Sequence, residues 1–276
     1  MTIADTNQHY DLDPEIFGRF LDPLRKYSSA LYLSDSDSLA EAQEHKLRFV
    51  AGRLGLTGGE RLLDVGCGWG ALLLFMAREY KCATLGVSPA PRQHDYIAQR
   101  ARELGVEDRV STMVGHFEQL ELPGRSFDAV TMLGSIVHMP DADEVFRRAR
   151  ALLRTGGSLY VSESCFRNHA ARTAYDERAG TDFVRRDIFG WGDMRPLSEL
   201  VAAAERAGFS IVSVDDLTVH YRRTIEDWLV NVDAQADALD GHEPGLAGKL
   251  RHYLEIANAG WGYTTKHYAL VCRRSR

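Results

Sequence analysis

Two rhythms of apolar and polar positions run along this chain. Between residues 61 and 164, short apolar runs recur: RLLDV (61–65), CATLGVS (82–88), RVSTMVG (109–115), SFDAVTMLGS (126–135) and GSLYVSES (157–164). Their length and the glycines and polar residues that bound them predict strands. ALLLFMAREY (71–80), PRQHDYIAQRAREL (91–104) and DADEVFRRARALL (141–153) repeat apolar positions at helical spacing and predict helices between them. Strands alternating with helices specify parallel βαβ units and an open, doubly wound α/β sheet.

The flanks carry the second rhythm. Residues 14–33 mix apolar and polar positions at helical spacing, broken at Pro23. Residues 38–55 predict a helix that Ser38 caps, with Glu41 completing a capping box and Gly55 ending it. The pattern lapses over 165–195, a polar stretch. It resumes as a helix in PLSELVAAAERAG (196–208), a strand in FSIVSVDDL (209–217), a largely helical stretch over 219–262 and a last strand in KHYALVCRR (266–274). A seven-stranded sheet is expected from 61–163, 196–216 and 266–274. The helical N-terminal segment, 1–58, is expected as a lid over a core of 59–276. Inserts at about 165–195 and 217–265 would cover the open end of the sheet.

Composition narrows the partners. The 276 residues hold 33 Lys+Arg against 39 Asp+Glu, a net charge of −6, which argues against a protein that tracks nucleic-acid phosphates. Cys67, Cys82, Cys165 and Cys272 are scattered without a CxxC pair, so reduced thiols are expected, and no histidine cluster has metal spacing. The N-terminus shows no apolar signal segment. No apolar run approaches the roughly 20 residues of a membrane span, so a cytoplasmic location is expected. The expected partner is a small-molecule substrate, and a homodimer is compatible with the sequence.

The most informative stretch is LLDVGCGWG (62–70). Its strand delivers Asp64 and the Gly66-Cys67-Gly68 turn to the crevice where open α/β sheets bind ligands. Glycine lets the backbone turn sharply and approach a ligand closely. The spacing is GxGxG, and the second strand ends in Gly-Val-Ser-Pro without the acidic residue of a dinucleotide oxidoreductase. A ligand with an amino-acid moiety and no pyrophosphate suits the turn, with Asp64 receiving its ammonium group.

Nearly the whole chain resembles class I S-adenosylmethionine-dependent methyltransferases, in the branch of the cyclopropane-fatty-acid and mycolic-acid cyclopropane synthases. The resemblance rests on Tyr10-Asp11, Phe17 and Phe20-Leu21-Asp22, on Tyr27-Ser28-Ser29-Ala30-Leu31-Tyr32, on LAEAQEHKL (39–47), and on LLDVGCGWG. Near the C-terminus it rests on His220-Tyr221, Thr224, Trp228 and Asn231. It implies a Rossmann-like methyltransferase sheet with S-adenosyl-L-methionine as cofactor. Tyr27 and Ser28 would close over the methionine part, and Asp64, Gly66, Cys67 and Gly68 would line the turn. Ser88, Pro89 and Gln93 would hold the ribose, Phe117 and Glu118 would flank the adenine, and Leu133 and Gly134 would lie beside the sulfonium.

Cyclopropane synthases of this branch hold a bicarbonate as base, between a Cys, a Glu, a His and a Tyr. The corresponding positions here read Ser29, Val137, about Ser162, and Tyr221 or a neighbour. With three of the four changed, a cyclopropane product is not expected, while methyl transfer is. Similar chains act on carbon or nitrogen of small molecules in bacterial natural-product (secondary-metabolite) pathways. Trp191, Trp228, Trp261 and Tyr263, in the covering segments, suit an aromatic or heterocyclic acceptor with carbon as the preferred nucleophile. Glu163 at the end of strand five is the first candidate base, then His138, with His220 and Tyr221 behind it. Fatty-acyl methylation or cyclopropanation, and a cyclase that only binds the cofactor, are the alternatives.

Overall fold

The structure is a computed structural model that describes residues 14–177 and 193–275. Seven strands form one sheet: β1 (Arg61–Val65), β2 (Ala83–Ser88), β3 (Val110–Val114), β4 (Phe127–Leu133), β5 (Leu153–Phe166), β6 (Ser210–Asp216) and β7 (Thr265–Arg273). Their spatial order is β3-β2-β1-β4-β5-β7-β6. The first five pair in parallel, and β7 runs antiparallel between β5 and β6. The order reverses beside β1, so the carboxyl ends of β1 and β4 open on the crevice where such sheets bind ligands. The antiparallel β7 brings its first residues to the same edge.

Helices cover both faces. α1 (Pro14–Phe20) and α2 (Leu39–Leu54) precede the sheet, followed by α3 (Ala71–Tyr80), α4 (Pro91–Glu103), α5 (Ala142–Leu152), α6 (His169–Asp176) and α7 (Leu197–Arg206). α8 (Thr218–Ala234), α9 (Ala236–His242) and α10 (Leu246–Ala259) lie between β6 and β7. Val145, Phe146 and Ala149 of α5 and Leu200, Ala203 and Ala204 of α7 bury one sheet face. Leu47, Val50 and Leu54 of α2 and Leu72, Leu73, Phe75 and Met76 of α3 bury the other. A third apolar cluster joins Ile16, Phe17 and Phe20 of α1 to Trp69, to Ile225, Trp228 and Val232 of α8, and to Leu254 of α10. The amino-terminal segment is thus bound to the helices that follow β6.

The local signals act as expected at α2. The Ser38 side chain accepts from the Glu41 amide, Glu41 reaches back to the Ser38 amide, and Gly55 adopts φ 70° at the C-cap. Two expectations need correction. The segment 14–33 is helical only to Phe20; beyond it the Asp22 carboxylate accepts the amides of Leu24 and Lys26, which bends the chain. The apparent lapse after residue 165 contains α6, started by Asn168, whose side chain accepts the Ala171 amide. No residue of α6 is buried, and Arg172 ties it to Glu199 and Asp193 instead, so apolar periodicity did not reveal it. Trp191, Tyr10 and Asp11 lie outside the described residues. No helix among the described residues is long and apolar enough to cross a membrane.

Candidate active site

Two cavities of about 160 and 150 Å³ meet above the carboxyl ends of β1 and β4. Tyr27, Gly134 and His138 line both. The first cavity runs from the turn after β1 (Gly66, Cys67, Gly68) past Ser88, Pro89 and Gln93 at the end of β2 to Phe117 and Glu118 after β3, with Leu133 on its floor. The structure therefore brings together most of the residues expected around the cofactor. Ser88 donates to Gln93 Oε1 at 2.7 Å, which fixes the two side chains against each other.

The glycines of this cavity have separate reasons. Gly66, at φ 77°, could not carry a Cβ, which would sit 2.4 Å from Ser135 Cβ. Gly68 and Gly134, at φ 52° and 74°, have nothing within 4 Å of where a Cβ would point. They thus leave the cavity open at the turn and beside the position that the resemblance gives the adenosyl sulfonium. The amides of Gly66 and Cys67 both donate to the Val87 carbonyl, at 2.8 and 3.1 Å, so these amides are not aimed at an anion, as a phosphate loop would require.

Asp64 and Ser28 are placed differently from expectation. Asp64 lies behind the turn, fully buried, and lines neither cavity. Thr131 donates to its Oδ1 at 2.7 Å while Oδ2 has no hydrogen-bond partner, and burial raises its pKa against the pull of Lys26. It points into the interior behind the turn and not into the lining of either cavity. Ser28 lines the second cavity, and its hydroxyl accepts from Lys46 Nζ at 3.2 Å.

The second cavity has aromatic walls: Tyr27, Phe166, Tyr175, Tyr221, Trp228, Tyr253 and Trp261. Tyr221 packs against Trp261 at 5.0 Å and His267 at 4.7 Å between ring centroids, and Tyr27 against Trp228 at 5.1 Å. Glu163 is the acidic residue in this lining. Its Oε2 accepts the Val137 amide at 3.2 Å and its Oε1 the Ser164 amide at 2.9 Å. Burial pushes its pKa up to about 7, against the opposing pull of those amides and of Arg195. His267 faces Ser164 across the β5–β7 register, with Nδ1 3.4 Å from the Ser164 hydroxyl. Burial, reinforced by Lys46, holds this imidazole down to about 3, so it is neutral at physiological pH.

His220 and Tyr263 fall outside both cavities. His220 Nδ1 accepts the Tyr32 amide at 3.3 Å and so joins the amino-terminal segment to α8. Tyr263 sits between α10 and β7 and is 79% exposed, with its ring in solvent. The sequence reading missed Lys26, Trp69 and His116 in the first cavity and Ser164, Tyr253 and His267 in the second. His267 was detectable in principle, since an antiparallel last strand starts where the parallel strands end.

This fold and crevice define a class I S-adenosylmethionine-dependent methyltransferase. The chain belongs to the mycolic acid cyclopropane synthetase family, whose profile matches residues 1–268. A probable fatty acid methyltransferase of Pseudomonas putida is 31% identical over 229 residues, covering 82% of this chain and 57% of that protein. The chain thus spans little more than half of that relative. Cyclopropane mycolic acid synthase 1 of Mycobacterium tuberculosis is 28% identical over 251 residues, covering 87% of this chain and 86% of that one. The crystal structure of mycolic acid cyclopropane synthase CmaA1 with S-adenosylhomocysteine and CTAB superposes with a TM-score of 0.87 at 25% identity, covering 98% and 97% of the two chains.

Proposed function

We propose that this enzyme methylates a carbon or nitrogen of a small aromatic or heterocyclic metabolite seated in the second cavity. The observation that carries this reading is the buried Glu163 carboxyl, set in aromatic walls, in a cavity that meets the first at Tyr27, Gly134 and His138. S-adenosylmethionine, when bound, supplies an electrophilic methyl group on a sulfonium. Tyr27, Trp228, Trp261 and Tyr221 offer ring faces to a flat acceptor or a developing cation. With the methyl group passing from the sulfonium sulfur to the acceptor's electron pair, Glu163 would take the proton that the acceptor loses.

Two backbone amides fix the Glu163 carboxyl, and a pKa near 7 suits a general base at neutral pH. One of those amides belongs to Val137, the position where the resemblance places an anion-holding Glu in cyclopropane synthases. Here a carboxylate built into the chain stands beside that position. Ser29, at the Cys position, donates to the Ala30 carbonyl at 3.0 Å.

A fatty-acyl acceptor is the second reading. It rests on the named relatives and on the apolar flank of the second cavity at Ile225, Leu254 and Ala257. Release of S-adenosylhomocysteine should be measured with aromatic amines, nitrogen heterocycles, electron-rich arenes and unsaturated phospholipids. The proposal expects turnover with flat acceptors, and Glu163→Gln should lower it by about 10²–10⁴-fold with S-adenosylhomocysteine affinity unchanged. Turnover confined to the phospholipids establishes the second reading. Conversion of a substrate without S-adenosylhomocysteine establishes a cyclase.

A further inference from the structure

Lys26 is buried, lines the first cavity beside Tyr27 and the glycine turn, and follows the irregular bend at Asp22. Its backbone is held at both ends: its amide donates to Asp22 Oδ1 at 2.8 Å and its carbonyl accepts from Gln43 Nε2 at 3.3 Å. Its ammonium group has no hydrogen bond or ion pair within 4 Å among the described residues, although Asp64, Cys67 and Asp22 surround it at longer range. The neighbouring buried lysine differs, because Lys46 Nζ rests on the Ser28 hydroxyl. Buried ammonium groups are normally paired, and lysine carries three donors that need acceptors.

What lies in front of Lys26 is the cavity. The glycine turn does not offer its first two amides there, since Gly66 and Cys67 both donate to Val87. An anionic group at this end therefore finds a buried side-chain cation and not a nest of amides. We propose that Lys26 receives the α-carboxylate of the cofactor's methionine moiety at the glycine-turn end of the first cavity. This rests on the reading of the first cavity as the cofactor site. Lys26 is then a binding residue that the glycine motif does not encode. It makes the amino-terminal segment a part of the cofactor site as well as its cover.

The test compares two ligands that differ in one group: S-adenosylhomocysteine and its decarboxylated analogue, which keeps the ammonium, sulfur and adenosine. Isothermal titration calorimetry on the full chain should show the wild type binding S-adenosylhomocysteine about 10–100-fold more tightly than the analogue, the range for a charged hydrogen bond. Lys26→Met should weaken S-adenosylhomocysteine by about the same factor, leave the analogue nearly unaffected and so erase the preference. Lys26→Arg should keep most of it. Lys26→Gln serves if the methionine variant does not fold. A wild type without preference, or a preference that survives in Lys26→Met or Lys26→Gln, overturns the proposal. If the wild type binds neither ligand, the cofactor-site reading fails with it, and the two failures are distinguishable.

Discussion

Glu163 shows how one residue's surroundings set both chemistry and stability. Its folded pKa of about 7 lies above the ordinary 4.5. The folded state therefore retains a proton that the unfolded chain releases. This contribution to stability is full below pH 4.5 and is lost as pH rises through about 7. Glu163→Gln has no such loss, so it should melt higher than the wild type at pH 8, with a gain on the order of 3 kcal/mol that disappears near pH 4. Wild-type turnover should rise with pH through about 7, and the Gln variant should lack that limb. An unchanged melting difference across pH would show that Glu163 is not held protonated by burial. At Gly66 the constraint is steric. Gly66→Ala should cost about 1–3 kcal/mol in thermal denaturation, part of it recovered by Ser135→Gly, because the new Cβ meets Ser135 Cβ. No recovery would place the whole cost in the φ of 77°. The sequence shows a glycine turn at Gly66 and places Glu163 at the end of a strand. It does not show that Asp64 turns inward, which depends on pleat phase and on the lysines of distant elements.

At the scale of elements, α1 and α8 form one unit although some 200 residues separate them. Phe20 packs edge-on to Trp228 at 6.5 Å between centroids and to Tyr27 at 6.1 Å. Ala30 donates its amide to Thr224 Oγ1, and Asn231 donates to the Phe20 carbonyl. Asn231 and Thr224 belong to the C-terminal motif of the resemblance, and these bonds give the motif a physical role, since they tie down the amino-terminal segment. A double-mutant cycle of Phe20→Ala and Trp228→Ala, read by denaturation, should give a coupling energy of about 1 kcal/mol. Additive effects would mean that the two helices are not a unit. Capping at Ser38 and the breaks at Pro23 and Gly55 are legible locally. α6 is not, because ion pairs and not apolar burial hold it.

Across the whole molecule, the alternation of strands and helices is enough to read the doubly wound sheet, and LLDVGCGWG to read its ligand edge. The first cavity was legible because its residues follow β1, β2, β3 and β4 in chain order. The second was legible only in part, since Tyr27, Glu163, Tyr221, Tyr253 and His267 come from five separate segments that the packing alone brings together. The central claim is that methyl transfer occurs where the two cavities meet. A crystal structure with S-adenosylhomocysteine bound tests it most directly. The account predicts adenine beside Phe117 and Glu118, ribose at Ser88 and Gln93, and sulfur at Gly134 and His138, facing the Glu163 cavity. A sulfur atom turned away from that junction, or closed off from Glu163 by protein, would contradict it.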